Sequence, residues 1–262
     1  MTETPFDAAA AARYIADAHA QRQSYRNIPG ALAPKTVAEA YAAQEALRSL
    51  WEPVWGPVGG LKIATTTKVM QQLMGIDHPC GGMIYSKRIH TAPAVLRHAD
   101  YMHVVVECEL AVRVRNTLAK KATPWTREEV RREIAEVMPA FELIEDRNAN
   151  YKETQALTLI ADNAWNAGIV LGKPVAVTET QGLDGLKSRL ETTQSGNKEG
   201  LTDDPMGALA WIVNLAIERG RPLTAGQVVI TGSVVPTLPI AAGERFKFEI
   251  EGLGGIALEA RT

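Results

Sequence analysis

Three observations predict an α+β fold. Helix-patterned segments crowd the first quarter of the chain and strand-patterned segments dominate its end, so the elements segregate instead of alternating. The stretch from His103 alternates with period two: Val104, Val106, Cys108, Leu110 and Val112 point one way, His103, Val105, Glu107, Glu109 and Ala111 the other. Third, no dinucleotide fingerprint is present. Gly252-Leu-Gly-Gly255 lacks both the spacing and the following helix, and reads as a β-turn.

Residues 6–22 are Ala-rich and read as a helix with Tyr14 and Ile15 on its apolar side, broken at Asn27-Ile-Pro-Gly30. Thr36 and Glu39 form a capping box opening a second helix through Trp51, with Ala38, Tyr41, Ala42, Ala46 and Leu47 at helical spacing. Gly56 to Gly60 ends the helical part and introduces the strand-like Leu61-Lys62-Ile63. Lys68 to Met74 reads as a helix, with Gln71 and Gln72 exposed or turned into a site. Gly75 and Pro79-Cys80-Gly81-Gly82 are turn signals. Short strands and a proline-marked loop occupy 83–100, and a loop runs from Asn116 to Thr123. Thr126 and Glu129 form a second capping box, predicting a helix to about Val137. Leu157 to Leu171 holds Asp162-Asn163 and an apolar run, and strands with Gly turns are expected over 172–203. Pro205 starts an apolar helix that Gly220 stops, and strands follow at Val228–Thr231, Phe246–Ile250 and Ile256–Ala260. With no repeat or linker, 1–262 is expected to be one domain: a helical part over 1–59 and a β-rich core over 60–262.

The 262 residues suffice for a sizeable core, and 46% hydrophobic with 22% charged residues is ordinary for a globular protein. A net charge of −2 without a basic cluster argues against nucleic acid. No apolar run approaches the roughly 20 residues of a membrane span. The start lacks the pattern of a signal peptide, so a cytoplasmic enzyme is the expectation. Cys80 and Cys108 make neither a disulfide framework nor a zinc motif.

Glu107 and Glu109 project from one strand face, and Glu142 sits between Phe141 and Leu143 in a second apolar run. An alternating strand with glutamates on one side is commonly a half-buried strand with a wet face. Here Val105 and Ala111 make that face largely apolar, and buried carboxylates need a cation or hydrogen-bond donors. Three carboxylates without a soft ligand suit a hard ion such as Mg²⁺ or Mn²⁺. Lys62, between branched aliphatics, is either a lysine snorkelling at a strand edge or a desolvated ammonium serving as acid or anion contact.

The order and spacing of several motifs resemble the fumarylacetoacetate hydrolase superfamily, in its branch of 2-oxopent-4-enoate hydratases and 4-oxalocrotonate decarboxylases. They are Ala40-Tyr-Ala-Ala-Gln44, Gly60-Leu-Lys-Ile63, Gln71 before Gly75-Ile-Asp-His-Pro79, Glu107-Cys-Glu109 and Pro139-Ala-Phe-Glu142-Leu-Ile-Glu-Asp-Arg147. Ala161-Asp-Asn163, Ile230-Thr-Gly-Ser233, Ala242-Gly-Glu-Arg245 and Glu251-Gly-Leu-Gly254 follow. The resemblance implies a mixed β-sandwich or β-roll core, homo-oligomers, and a Mg²⁺ or Mn²⁺ ion on Glu107, Glu109 and Glu142 that chelates a small 2-oxo acid. It also implies proton transfer by Lys62, and Gln71, Asn163, Thr231 and Ser233 orienting the substrate. The implied reaction is hydration of a 2-hydroxy-2,4-dienoate to a 4-hydroxy-2-oxo acid. The chain departs from that pattern at Ala64, Cys80-Gly81-Gly82, Asp203-Asp204-Pro205 and Trp165. Decarboxylation of a 2-oxo diacid, with Arg26 or Arg147 on the second carboxylate, and acylpyruvate hydrolysis are the alternatives; a non-catalytic partner subunit is disfavoured by the intact glutamates and Lys62.

Overall fold

The computed structural model describes residues 5–178 and 181–262. Its helices are α1 (Ala8–Ala20), α2 (Val37–Trp55), α3 (Lys68–Met74), α4 (Arg127–Arg132), α5 (Ala156–Ala161) and α6 (Pro205–Glu218). Its strands are β1 (Val58–Ala64), β2 (Cys80–Tyr85), β3 (Ile89–Thr91), β4 (Ala94–Arg97), β5 (Val104–Val114), β6 (Ile134–Glu145) and β7 (Asn166–Leu171). The later ones are β8 (Val175–Ala176), β9 (Lys187–Thr192), β10 (Lys198–Leu201), β11 (Val228–Ser233), β12 (Leu238–Pro239), β13 (Arg245–Ile250) and β14 (Gly254–Arg261).

These strands build two mixed sheets, as the α+β expectation requires. The larger runs β2-β1-β11-β5-β6-β7-β3, with β12 also on β5 and β8 on β6; the smaller runs β10-β9-β13-β14-β4. The even positions of β5 alternate into the space between the sheets. Val104, Val106, Cys108, Leu110 and Val112 pack there with Phe141, Leu143, Phe246, Phe248 and Leu258 in one buried cluster. Phe141 meets Phe246 and Phe248 at ring-centroid distances of 6.4 and 6.0 Å. One face of β5 and β6 therefore closes the sandwich, joined by α4 and α6, and the other is left for α3, α5 and the site.

Both capping boxes form as expected, at Thr36–Glu39 and Thr126–Glu129. Three expectations are corrected. The helix from Thr126 stops at Arg132, because residues from Ile134 on pair along β5 and the ladder overrides helical periodicity. The second helix continues through Pro53 to Trp55 and buries Ala40, Tyr41, Ala43, Gln44, Leu47 and Trp51, while Ala38 is exposed. Cys80-Gly81-Gly82 is strand β2, not a turn. Its glycines serve close packing: a Cβ on Gly81 would stand 2.8 Å from Ile212 and Leu215 side chains, and one on Gly82 2.9 Å from Lys62 and the Asn163 carbonyl. Gly252 does lie in the β13–β14 hairpin turn.

Candidate metal centre and substrate cavity

The antiparallel register of β5 and β6 sets Glu107 directly opposite Glu142, and Glu109 opposite Ala140. Like charges in direct cross-strand pairing repel. Yet Glu109 and Glu142 are fully buried and Glu107 half-buried, and one oxygen from each lies within 4.8 Å of the others. Glu109 Oε2 accepts the Gly232 N–H at 2.6 Å, and Glu107 Oε1 accepts the Thr237 hydroxyl at 2.5 Å. Glu142 Oε1 accepts from Asn166 Nδ2 at 2.8 Å and pairs with Lys62 Nζ at 2.9 Å. Glu109 Oε1 and Glu142 Oε2 are buried with no donor among the described residues. Two orphaned carboxylate oxygens in an all-oxygen cluster fit a hard divalent cation, which would supply what no side chain does.

The electrostatics carry the same strain. Burial, then the charges of Glu142 and Glu107, push the Glu109 carboxyl well above its usual range. Burial lifts Glu142 to about 7 although Lys62 opposes it. Lys62, 1% exposed, is pulled down by burial but held up on balance by Glu142, Glu107 and Glu109. It lies on β1 with β2 and β11 on either side, so it is neither at an edge nor snorkelling. Its Nζ also donates to the Ala164 carbonyl at 3.1 Å.

That carbonyl is presented by an unusual turn. Asn163, Ala164 and Trp165 all have left-handed backbones, with φ of 52°, 46° and 58°. Buried Asp162 anchors the turn by accepting from Arg147 at 2.5 Å and pairing with His19 at 2.7 Å. Asn163 exchanges hydrogen bonds with the Met83 N–H and carbonyl at 2.7 and 2.8 Å, stapling the turn to β2.

A cavity of about 490 Å³ opens beside Lys62 and Glu107. Of the residues expected to bind substrate, Ser233 lines it, whereas Gln71, Asn163 and Thr231 do not. Gln71 bonds Thr65 O and Lys68, Thr231 bonds Leu110 O, and Asn163 bonds Met83. Unforeseen wall residues include Thr65–Thr67, Tyr151 and Thr237, together with apolar Met70, Met74, Ile144 and Leu159. Trp165, noted as a departure, is buried in the wall beside Tyr151, their ring centroids 5.3 Å apart. His103 pairs with Asp146 at 2.7 Å, an acid–base pair that reading the chain alone missed. The register pointed to it: pairing Glu107 with Glu142 sets the residues just before β5 against those just after β6.

Fold and site together define a β-sandwich protein with a cluster of three carboxylates on one sheet face, a donor set of the kind that suits a hard cation. More particularly, the chain belongs to the fumarylacetoacetate hydrolase family, whose C-terminal family model matches residues 68–259. It is 27% identical over 252 residues to 2-keto-4-pentenoate hydratase 1 of Dechloromonas aromatica (strain RCB), covering 95% of both chains. It is 29% identical over 232 residues to 2-hydroxyhexa-2,4-dienoate hydratase of Comamonas testosteroni, covering 86% of each. Among solved structures, 4-oxalocrotonate decarboxylase from Pseudomonas putida G7, complexed with magnesium and adipate, superposes with a TM-score of 0.87 over 97% of each chain at 24% identity. That last likeness concerns the fold.

Proposed function

We propose that this protein is a metal-dependent hydratase of aromatic catabolism, adding water to a 2-hydroxy-2,4-dienoate such as 2-hydroxypenta-2,4-dienoate to give a 4-hydroxy-2-oxo acid. The observation that carries the reading is the pair of orphaned oxygens on Glu109 and Glu142, in one cluster with Lys62 and Glu107, which themselves line a largely apolar cavity. The hydratase relatives support the reaction class. Glu107, Glu109 and Glu142 would hold the ion, Mg²⁺ or Mn²⁺ by the hardness of the donors. Such an ion supplies Lewis acidity toward the oxygens of a 2-oxo acid.

The chain's own residues do the rest. Lys62 keeps a proton at Nζ beside the cavity, placed to reach a dienol carbon as the substrate ketonises to a conjugated enone. Water then adds at the carbon distal to the ketone. Ser233 and Thr237 orient the polar head; Asn163, Gln71 and Thr231 act on substrate by holding the walls that position Lys62 and the Thr65 turn. Met70, Met74, Ile144 and Leu159 receive the apolar tail and thin the water around it. Homo-oligomeric assembly and a cytoplasmic location complete the proposal; no helix among the described residues is long and apolar enough to cross a membrane.

Decarboxylation of a diacid would call for a second cation in the cavity. Among the described residues Lys62 is the sole lysine or arginine on its wall. Arg26 is exposed, and Arg147 is bound to Asp162. Proton NMR of the protein with freshly made 2-hydroxypenta-2,4-dienoate tests the reading, with Mg²⁺, with EDTA, and with Glu107→Ala. Metal-dependent formation of 4-hydroxy-2-oxopentanoate, lost in the variant, is expected. Ketonisation no faster than the protein-free blank would defeat it.

A further inference from the structure

We infer that Tyr151, backed by Asp146 and His103, is the base that activates the adding water, an assignment that rests on the hydratase reading above. Asp146 is 1% exposed and both its oxygens are engaged. Oδ1 accepts from His103 Nδ1 at 2.7 Å and from the Asn148 N–H at 2.9 Å; Oδ2 accepts the Tyr151 hydroxyl at 3.0 Å. One end of this chain of bonds reaches solvent, where the His103 side chain is 41% exposed. The other ends at Tyr151, which lines the cavity together with Glu107, Ile144 and Trp165. The Trp165 ring meets the Tyr151 ring edge-on and restrains it.

A phenol that gives its proton to a carboxylate keeps its oxygen lone pairs as acceptors. The other titratable groups of the site are committed elsewhere. Glu107, Glu109 and Glu142 form the cation site, and Lys62 is held charged by them. Cys80 is buried, which pushes its thiol up. Burial, and next the Asp146 charge, push the Tyr151 phenol up as well, so it stays protonated and works as a base by passing its own proton on. In the step, a bond forms between the water oxygen and the enone carbon distal to the ketone. One water O–H bond breaks, its proton joins Tyr151 Oη, and the Tyr151 proton joins Asp146 Oδ2. The displaced π pair comes to rest on the 2-oxo oxygen as an enolate. The same path in reverse returns the proton to the adjacent carbon, so H and OH of one water are both added and Asp146 is again a carboxylate. His103 Nδ1–H steadies Asp146 throughout and is a positioning residue.

The test separates the two reactions of the cavity by following ketonisation of the dienol and formation of the hydrated product in one NMR time course. Tyr151→Phe is expected to slow hydration by roughly 10²-fold or more while ketonisation keeps its rate and the enone accumulates. Mg²⁺ affinity should match the unsubstituted protein, and Tm should fall by no more than the loss of one hydrogen bond to buried Asp146 explains. His103→Gln, at the exposed end, should show the same selectivity with a smaller loss. Hydration at full rate in Tyr151→Phe, or equal loss of both reactions with metal affinity intact, overturns the assignment. Should Tyr151→Phe fail to fold, His103→Gln decides: a selective loss supports the relay and none overturns it. Unsubstituted protein that ketonises but never hydrates overturns the function proposed above, and the base with it.

Discussion

At the residue scale, Lys62 and Glu142 depend on each other for burial. An ion pair this deep adds little net stability, but removing one partner strands a charge. Glu142→Ala is therefore expected to cost about 3–5 kcal/mol in urea-induced unfolding, on top of losing tight metal binding. Replacing both, as Lys62→Met with Glu142→Ala, should recover part of that stability without restoring the metal. A double variant no more stable than the single would show that the stranded charge is not the cause. The carboxylates were legible in the chain because period-two alternation fixes which side chains share a face. The Lys62 environment was not, because its strand neighbours β2 and β11 lie far apart in sequence. Asn163 was legible as a motif residue, but its bonds to Met83 follow from a left-handed turn that no local pattern marks.

At the element scale, β2 shows how a strand can masquerade as a turn. Cys80-Gly81-Gly82 has turn composition, yet the glycines are there because α6 presses on one and Lys62 on the next. Gly82→Ala would bring a Cβ within 2.9 Å of the Asn163 carbonyl, which the stapled turn cannot readily move. It is expected to cost about 1–3 kcal/mol by overpacking and to reduce turnover beyond what its Tm shift explains, since Lys62 is displaced. Thr36→Ala makes the contrast. Breaking the α2 capping box should cost about 1 kcal/mol and leave kcat unchanged. Thermal unfolding beside steady-state kinetics reads both variants, and equal loss of turnover in the two would refute the distinction. The same logic explains why the second capping box was legible while its helix length was not. A cap is a four-residue signal, but the point where β6 takes over is decided by pairing with β5.

At the scale of the molecule, the carboxylate cluster and the hydrophobic core are two faces of the same strands. The even face of β5 closes the sandwich against Phe246 and Phe248, while its odd face carries Glu107 and Glu109. The site is thus built on strands interior to the larger sheet, and forms only when that sheet forms. Binding should then be linked to global unfolding and not to the opening of one loop. A cation bound only by the folded state stabilises it by about 2.7 kcal/mol at 100 times its Kd. For a chain near this size that corresponds to a rise in Tm of roughly 5–10 °C, at about 2–4 °C per kcal/mol. Calorimetry in saturating Mg²⁺ and in EDTA should show this difference as one shifted transition. Glu109→Gln, which keeps the shape but gives up a ligand charge, should abolish most of the shift. A metal that binds tightly by titration yet leaves Tm unmoved would mean that it sits somewhere other than these strands. Such a result would contradict the placement of the centre on β5 and β6, whatever activity the protein retained.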